Sequence, residues 1–201
     1  MRPILIPLAL AMTALGLATT PAPAASRCRG EAIVKTSKVV VIAKRGRAFY
    51  ACARQTGRSR RFATEDRAEG PLIRNVTASG RFVAWEERGG RTEPFSIVCT
   101  FDGISGGRPK CFNATTDGVL TDPLAPHQVA RLLVTSSGHL AWTADNQRAD
   151  PPRPEVHKVD AQGPALLDSG AGVNRSSLRV SGTRVLWTNS GVEQSAPFHT
   201  S

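Results

Sequence analysis

Four cysteines, Cys28, Cys52, Cys99 and Cys111, carry the clearest chemistry in this chain of 201 residues. They are even in number, with no C-x-x-C pair and no Cys/His cluster at metal-ligand spacing. That pattern points to two disulfides and away from a zinc centre. Gly103-Ile104-Ser105-Gly106-Gly107 matches G-x-S-x-G. A nucleophile elbow, however, needs a strand before the serine and a helix after it. Here Arg108-Pro109-Lys110-Cys111 leads into a strand, so the segment reads as a hairpin loop. His127, His139, His157 and His199 are scattered one per region, and His139 reads as an exposed turn residue. The carboxylates show neither paired spacing nor an Asp-x-Asp calcium loop. No catalytic residue, metal site or cofactor is assigned.

The remaining chemical signal is positive charge. Lys and Arg number 26 against 16 Asp and Glu, a net charge of +10. Between Lys44 and Arg61 the chain carries Arg45, Arg47, Arg54, Arg58 and Arg60 with no acid, and Phe49 and Tyr50 lie inside the run. Clustered arginines suit phosphate-bearing polymers, anionic glycans or lipid headgroups. Arginines on turns and edges also keep a β-protein soluble. No nucleic-acid-binding motif is present, so specific nucleic-acid recognition is not expected.

The N-terminus sets the compartment. Arg2 precedes an uncharged apolar run from Ile4 to Ala18, and Ala22 and Ala24 stand at −3 and −1 of a cleavage site before Ala25. This reads as a signal peptide over 1–24. About fifteen apolar residues interrupted by Pro7 fall short of the roughly twenty that span a bilayer. No later segment is long and apolar enough to do so. A secreted or cell-wall-associated product is expected, and in that oxidising space the cysteines pair. The three Asn-x-Ser/Thr sequons at Asn75, Asn113 and Asn174 would accept glycans in a eukaryote. The dominance of arginine and alanine suggests a bacterial chain instead, in which they are chance matches.

The elements that must position these residues emerge from internal similarity. Ser79-Gly80-Arg81-Phe82-Val83-Ala84-Trp85, Ser137-Gly138-His139-Leu140-Ala141-Trp142 and Ser181-Gly182-Thr183-Arg184-Val185-Leu186-Trp187 align, and all three tryptophans fall at one position. Ser37-Lys38-Val39-Val40-Val41-Ile42-Ala43 is a degenerate copy, and the serines are 42, 58 and 44 residues apart. Short apolar segments precede and follow each copy, separated by Gly- and Pro-rich links, and no helical stripe is present. A domain over 25–201 with units near 28–70, 71–125, 126–172 and 173–201 follows. Its second strands are near-continuous apolar runs, which suits coverage on both faces.

Four short strands in a unit near 45 residues is the arithmetic of a propeller blade. Through the Ser-Gly turn and the Val-Ala-Trp strand the chain resembles WD-type and TolB-like β-propeller proteins. The resemblance implies an all-β fold: a small, about four-bladed array, closed or incomplete. The last unit is short of a fourth strand, which the Arg27–Ala32 segment is expected to supply. Four cysteines allow three connectivities. The repeat architecture favours Cys99–Cys111 across one hairpin, worth about 3 kcal/mol on the chain-entropy account, leaving Cys28 for Cys52. The leading function is a monomeric, non-enzymatic binding module for an extracellular protein or glycan. Alternatives are a hydrolase or lyase on a propeller face, and an envelope protein held on anionic polymer.

Overall fold

The computed structural model describes residues 28–44, 47–65, 71–89, 95–116 and 129–200. The leader over 1–24 and Arg45 therefore lie outside the described residues. Within them the chain is all β, with four antiparallel sheets and no helix. Each sheet is a meander of consecutive strands. The first holds β1 (Glu31–Lys35), β2 (Val39–Lys44), β3 (Ala48–Ala53) and β4 (Ser59–Thr64). The second holds β5 (Leu72–Ser79), β6 (Phe82–Gly89), β7 (Phe95–Asp102) and β8 (Lys110–Asn113). The third holds β9 (Val129–Val134), β10 (Leu140–Asn146), β11 (Arg153–Asp160) and β12 (Gly163–Ser169). The fourth has three strands, β13 (Arg179–Ser181), β14 (Arg184–Asn189) and β15 (Val192–Pro197).

One strand expectation is corrected. Glu31 and Ala32 pair with Ala43 and Ile42 in the first sheet and add nothing to the fourth. The reason is local. The Thr36 hydroxyl accepts the N–H groups of Lys38 (3.1 Å) and Val39 (2.9 Å) and caps a short turn into β2. Closing so short a hairpin costs far less chain entropy than returning to the distant fourth sheet.

Side chains alternate between two core layers along each central strand, as the period of two requires. Val83 and Trp85 of β6 pack with Val39, Val41 and Ala51 of the first sheet. Ala84 between them packs with Leu140, Trp142 and Ala144 of the third. Ala141 and Val156 then meet Val185 and Trp187 of the fourth. Three layers thus join the sheets in series, and every tryptophan fills the gap to the preceding sheet. Among the described residues no core cluster joins the fourth sheet to the first. The outer face of the fourth carries Arg179 bonded to Glu193 and Arg184 bonded to Ser195. The first strands gather on one side, where β5 runs beside β9 and β1 without a shared ladder.

Disulfides pin the two places where a short or terminal segment lies on a sheet. Cys28 is bonded to Cys52, and Cys99 to Cys111 directly across the β7–β8 ladder. Gly30 follows Cys28 at φ +147, where a Cβ would stand 2.9 Å from the Ala43 carbonyl oxygen, so the tethered segment lies against β2.

Buried carboxylates brace the joints between sheets. Asn75 adopts φ 49 at a bulge in β5, and its amide donates to Glu86 (2.9 Å) and to the Val129 carbonyl (2.7 Å). The sequon nitrogen is thereby spent on the joint to the third sheet. Burial pushes the Glu86 carboxyl up despite hydrogen bonds from Ser96, Val129 and Asn75. Glu155 behaves oppositely. Burial raises it, but hydrogen bonds from His157, Asn146 and Thr116 outweigh that and hold it at about 2. A depressed carboxyl adds stability that is full above its unfolded value, here 4.5, and is lost as pH falls through about 2. Glu155→Gln is expected to cost roughly 2–3 kcal/mol at neutral pH and to flatten the acid limb of stability between those values. Urea midpoints at pH 7 and pH 3 check this, and an unchanged pH dependence in the variant would refute it.

Candidate anion-binding face and cleft

A meander sends alternate hairpins to opposite ends, and the four sheets share their orientation. The Thr36 hydroxyl donates to the Gly80 carbonyl at 2.6 Å, joining the β1–β2 and β5–β6 turns. Gly80, at φ +56, lies against the β9–β10 turn, where a Cβ would come within 3.3 Å of Ser136. Gly138 of that turn leaves no room for a Cβ, which would stand 2.8 Å from the Phe82 ring. Phe198 lies 5.3 Å from the His139 ring, and the Phe198 N–H donates to Thr183 at 2.7 Å. The Ser-Gly turns therefore form one continuous end of the molecule.

Charge segregates to that end. It carries Lys38, Arg54, Arg58, Arg81, Arg108, Lys110 and Arg184, all exposed. Among the described residues its only carboxylates are Asp102 and Asp160, and both are consumed internally. Asp102 accepts the N–H groups of Ile104 and Ser105 at 2.9 Å each and pairs with Arg81 at 3.1 Å. Burial raises its carboxyl, but those backbone and arginine contacts hold it below the usual range. Asp160 accepts Lys158 Nζ at 2.6 Å, the His199 N–H at 2.9 Å and the Gln162 N–H at 2.9 Å. These bonds overcome the effect of burial and hold it well below the usual range. The opposite end is of mixed sign, with Arg47, Arg74, Arg148 and Arg153 among Glu65, Glu86, Glu87, Asp145, Glu155 and Asp168.

The structure divides the basic run that the sequence presents as one feature. Arg47 precedes β3 at the mixed end, whereas Arg54 and Arg58 follow it at the turn end. Six residues at ~3.3 Å each put about 20 Å between them. The Arg54 guanidinium donates to the Thr36 carbonyl at 3.0 Å. Arg60 lies opposite Ala51 on the side facing the second sheet, with its guanidinium against Gly106. Arg61 lies opposite Tyr50 on the other side, where Lys44 sits 4.6 Å over the Tyr50 ring. Sequence adjacency missed Arg81, Arg108 and Lys110, which come from another sheet. The one available signal was their place on hairpins of the same parity.

Between the second and third sheets the turn end opens into a cleft of about 600 Å³. Phe82, Phe112, Val159 and Gly163 supply apolar lining, and Arg108, Lys110, Ser137, His139 and the internally bonded Asp102 and Asp160 supply polar lining. Arg108 and Lys110 make no ion pair or side-chain hydrogen bond among the described residues. Lys110 and Phe112 alternate with Cys111 along β8, so they face the third sheet while the disulfide faces the first.

Ser137 Oγ lies 3.3 Å from His139 Nδ1. No carboxylate contacts the His139 ring among the described residues; Phe198 packs on it instead. The G-x-S-x-G segment lies in the β7–β8 hairpin, where Asp102 organises the turn and no helix follows. His157 stacks on Trp142 at 5.1 Å inside the core, and His127 lies outside the described residues. No group of three metal-ligating side chains occurs among the described residues. No family model, curated protein or solved structure matches the chain.

Proposed function

We propose that this chain is a secreted, disulfide-stabilised and non-enzymatic binding module, built as an open propeller-like array, that holds an anionic extracellular polymer against its turn end. The observation that carries this reading is the charge segregation. Exposed cations crowd one end, where the only two carboxylates among the described residues are neutralised within the protein. A surface of one sign raises the local concentration of an opposite polymer and speeds encounter. Two disulfides suit an oxidising compartment, which supports the leader reading of 1–24. The likeness to WD-type and TolB-like propellers is supported by first strands that gather on one side and by tryptophans that each fill the gap to the preceding sheet.

Retention on heparin–agarose under a salt gradient tests the reading. A variant with Arg54, Arg58, Arg108 and Lys110 changed to serine is expected to elute at clearly lower salt than the wild type. A control with Arg47, Arg74, Arg148 and Arg153 changed to serine removes the same charge from the other end and should elute near the wild type. Equal shifts in the two variants would mean general ion exchange and no specific face.

A further inference from the structure

We infer that the cleft between the second and third sheets is a subsite for one acidic sugar of the polymer, a hexuronate held by its carboxylate and by its ring face. This deepens the proposed function and rests on it. The cleft differs from the rest of the turn end in combining two features. Arg108 and Lys110 stand at it without an ion pair among the described residues, with flexible stems that can close on a carboxylate. Beside them half-buried Phe112 and Val159, from the two sheets, expose apolar surface to the cleft.

A polyphosphate would satisfy the cations but leave that apolar surface wet. A neutral sugar would cover the surface but leave the cations without a partner. A hexuronate does both, since its C–H faces pack on aromatic and aliphatic groups while its carboxylate takes charge-assisted hydrogen bonds. The polar lining suits its hydroxyls as well. Ser137 and half-buried His139 project from a turn that Thr135 fixes by accepting the His139 N–H at 3.0 Å. His139 Nε2 has no partner among the described residues. A volume of about 600 Å³ lies within the range of small-ligand sites. The floor is also preformed: Phe82 is fixed between Gly138 and the Arg81 guanidinium, 5.1 Å from its ring centre.

Calorimetric titration of the full mature chain with tetragalacturonate, maltotetraose and tripolyphosphate tests this. Tetragalacturonate is expected to bind at least tenfold more tightly than either control. R108Q/K110Q should weaken it at least tenfold, while R54Q/R58Q, removing the same charge elsewhere on the face, should weaken it less than threefold. Phe112→Leu keeps an apolar residue in place and should cost threefold or more, with unfolding midpoints confirming that each variant folds. Equal affinity for tripolyphosphate, or equal losses in the two double variants, would overturn the subsite. If heparin retention depends on the turn face but tetragalacturonate binds no better than maltotetraose, the subsite falls and the face stands. If the wild type is not retained on heparin at all, the face reading fails first.

Discussion

Trp142→Ala is expected to destabilise the protein by about 3–5 kcal/mol, the upper range for emptying a core aromatic site. Trp142 is 1% exposed and sits in the middle of the layer joining the second and third sheets. Three losses coincide there. The indole volume is surrounded by Ala84, Val98, Leu140 and Ala144, whose strands are held by ladders on both sides and can collapse only partly. The indole N–H donates to the Ala114 carbonyl at 2.7 Å, and truncation orphans that buried acceptor. The ring also lies parallel to His157 at 5.1 Å, and His157 in turn bonds Glu155 at 2.8 Å. Trp142→Phe keeps most of the apolar volume and should cost only about 1–2 kcal/mol, chiefly the lost hydrogen bond. Urea denaturation followed by far-ultraviolet circular dichroism separates the two variants. A Trp142→Ala protein within 1 kcal/mol of wild type would show that the layer is not close-packed. Since a domain of this size is stable by only about 5–15 kcal/mol, this one residue holds a sizeable share of the fold.

That residue was legible from sequence because strand side chains obey a period of two. A tryptophan two positions after a buried valine or leucine shares its face, and a one-residue slip would turn the whole set to solvent. The meander hairpins were legible for a related reason, since Gly80 and Gly138 mark turns with positive φ. The basic face was not. Residues 44 to 61 are contiguous in sequence, yet β3 carries the chain across the sheet and separates Arg47 from Arg54. Conversely, Arg54 and Lys110 share an end because both follow odd hairpins, a relation that depends on how the sheets stack. The cleft was less legible still. Phe112 and Val159 belong to different sheets, and nothing in their local sequences states that a cleft opens between them. The short fourth sheet was anticipated, but its supposed donor strand was already committed to the nearer partner, β2.

Replacing both Cys99 and Cys111 with serine is expected to cost about 3 kcal/mol of stability and, with it, binding in the cleft. The loop they close spans a sequence separation of 12, and β8 is only four residues long at the edge of its sheet. An edge strand that short has few ladder bonds of its own. Cys111 lies between Lys110 and Phe112, so the bond on one face fixes the two side chains that meet ligand on the other. The Cys28–Cys52 bond is the natural control. It closes a longer loop, with a sequence separation of 24, and should matter at least as much for stability on the chain-entropy account. Cys52 lies in β3 of the first sheet and Cys28 just before β1, and neither lines the cleft. The two serine pairs should therefore lower the unfolding midpoint alike, but only the Cys99/Cys111 pair should lose tetragalacturonate affinity, by at least tenfold, at a temperature where both remain folded. Full affinity in that variant would mean that packing of Phe112 against Val98 holds β8 without the disulfide. Equal loss in both variants would mean that the cleft responds to overall stability and not to the bond behind it.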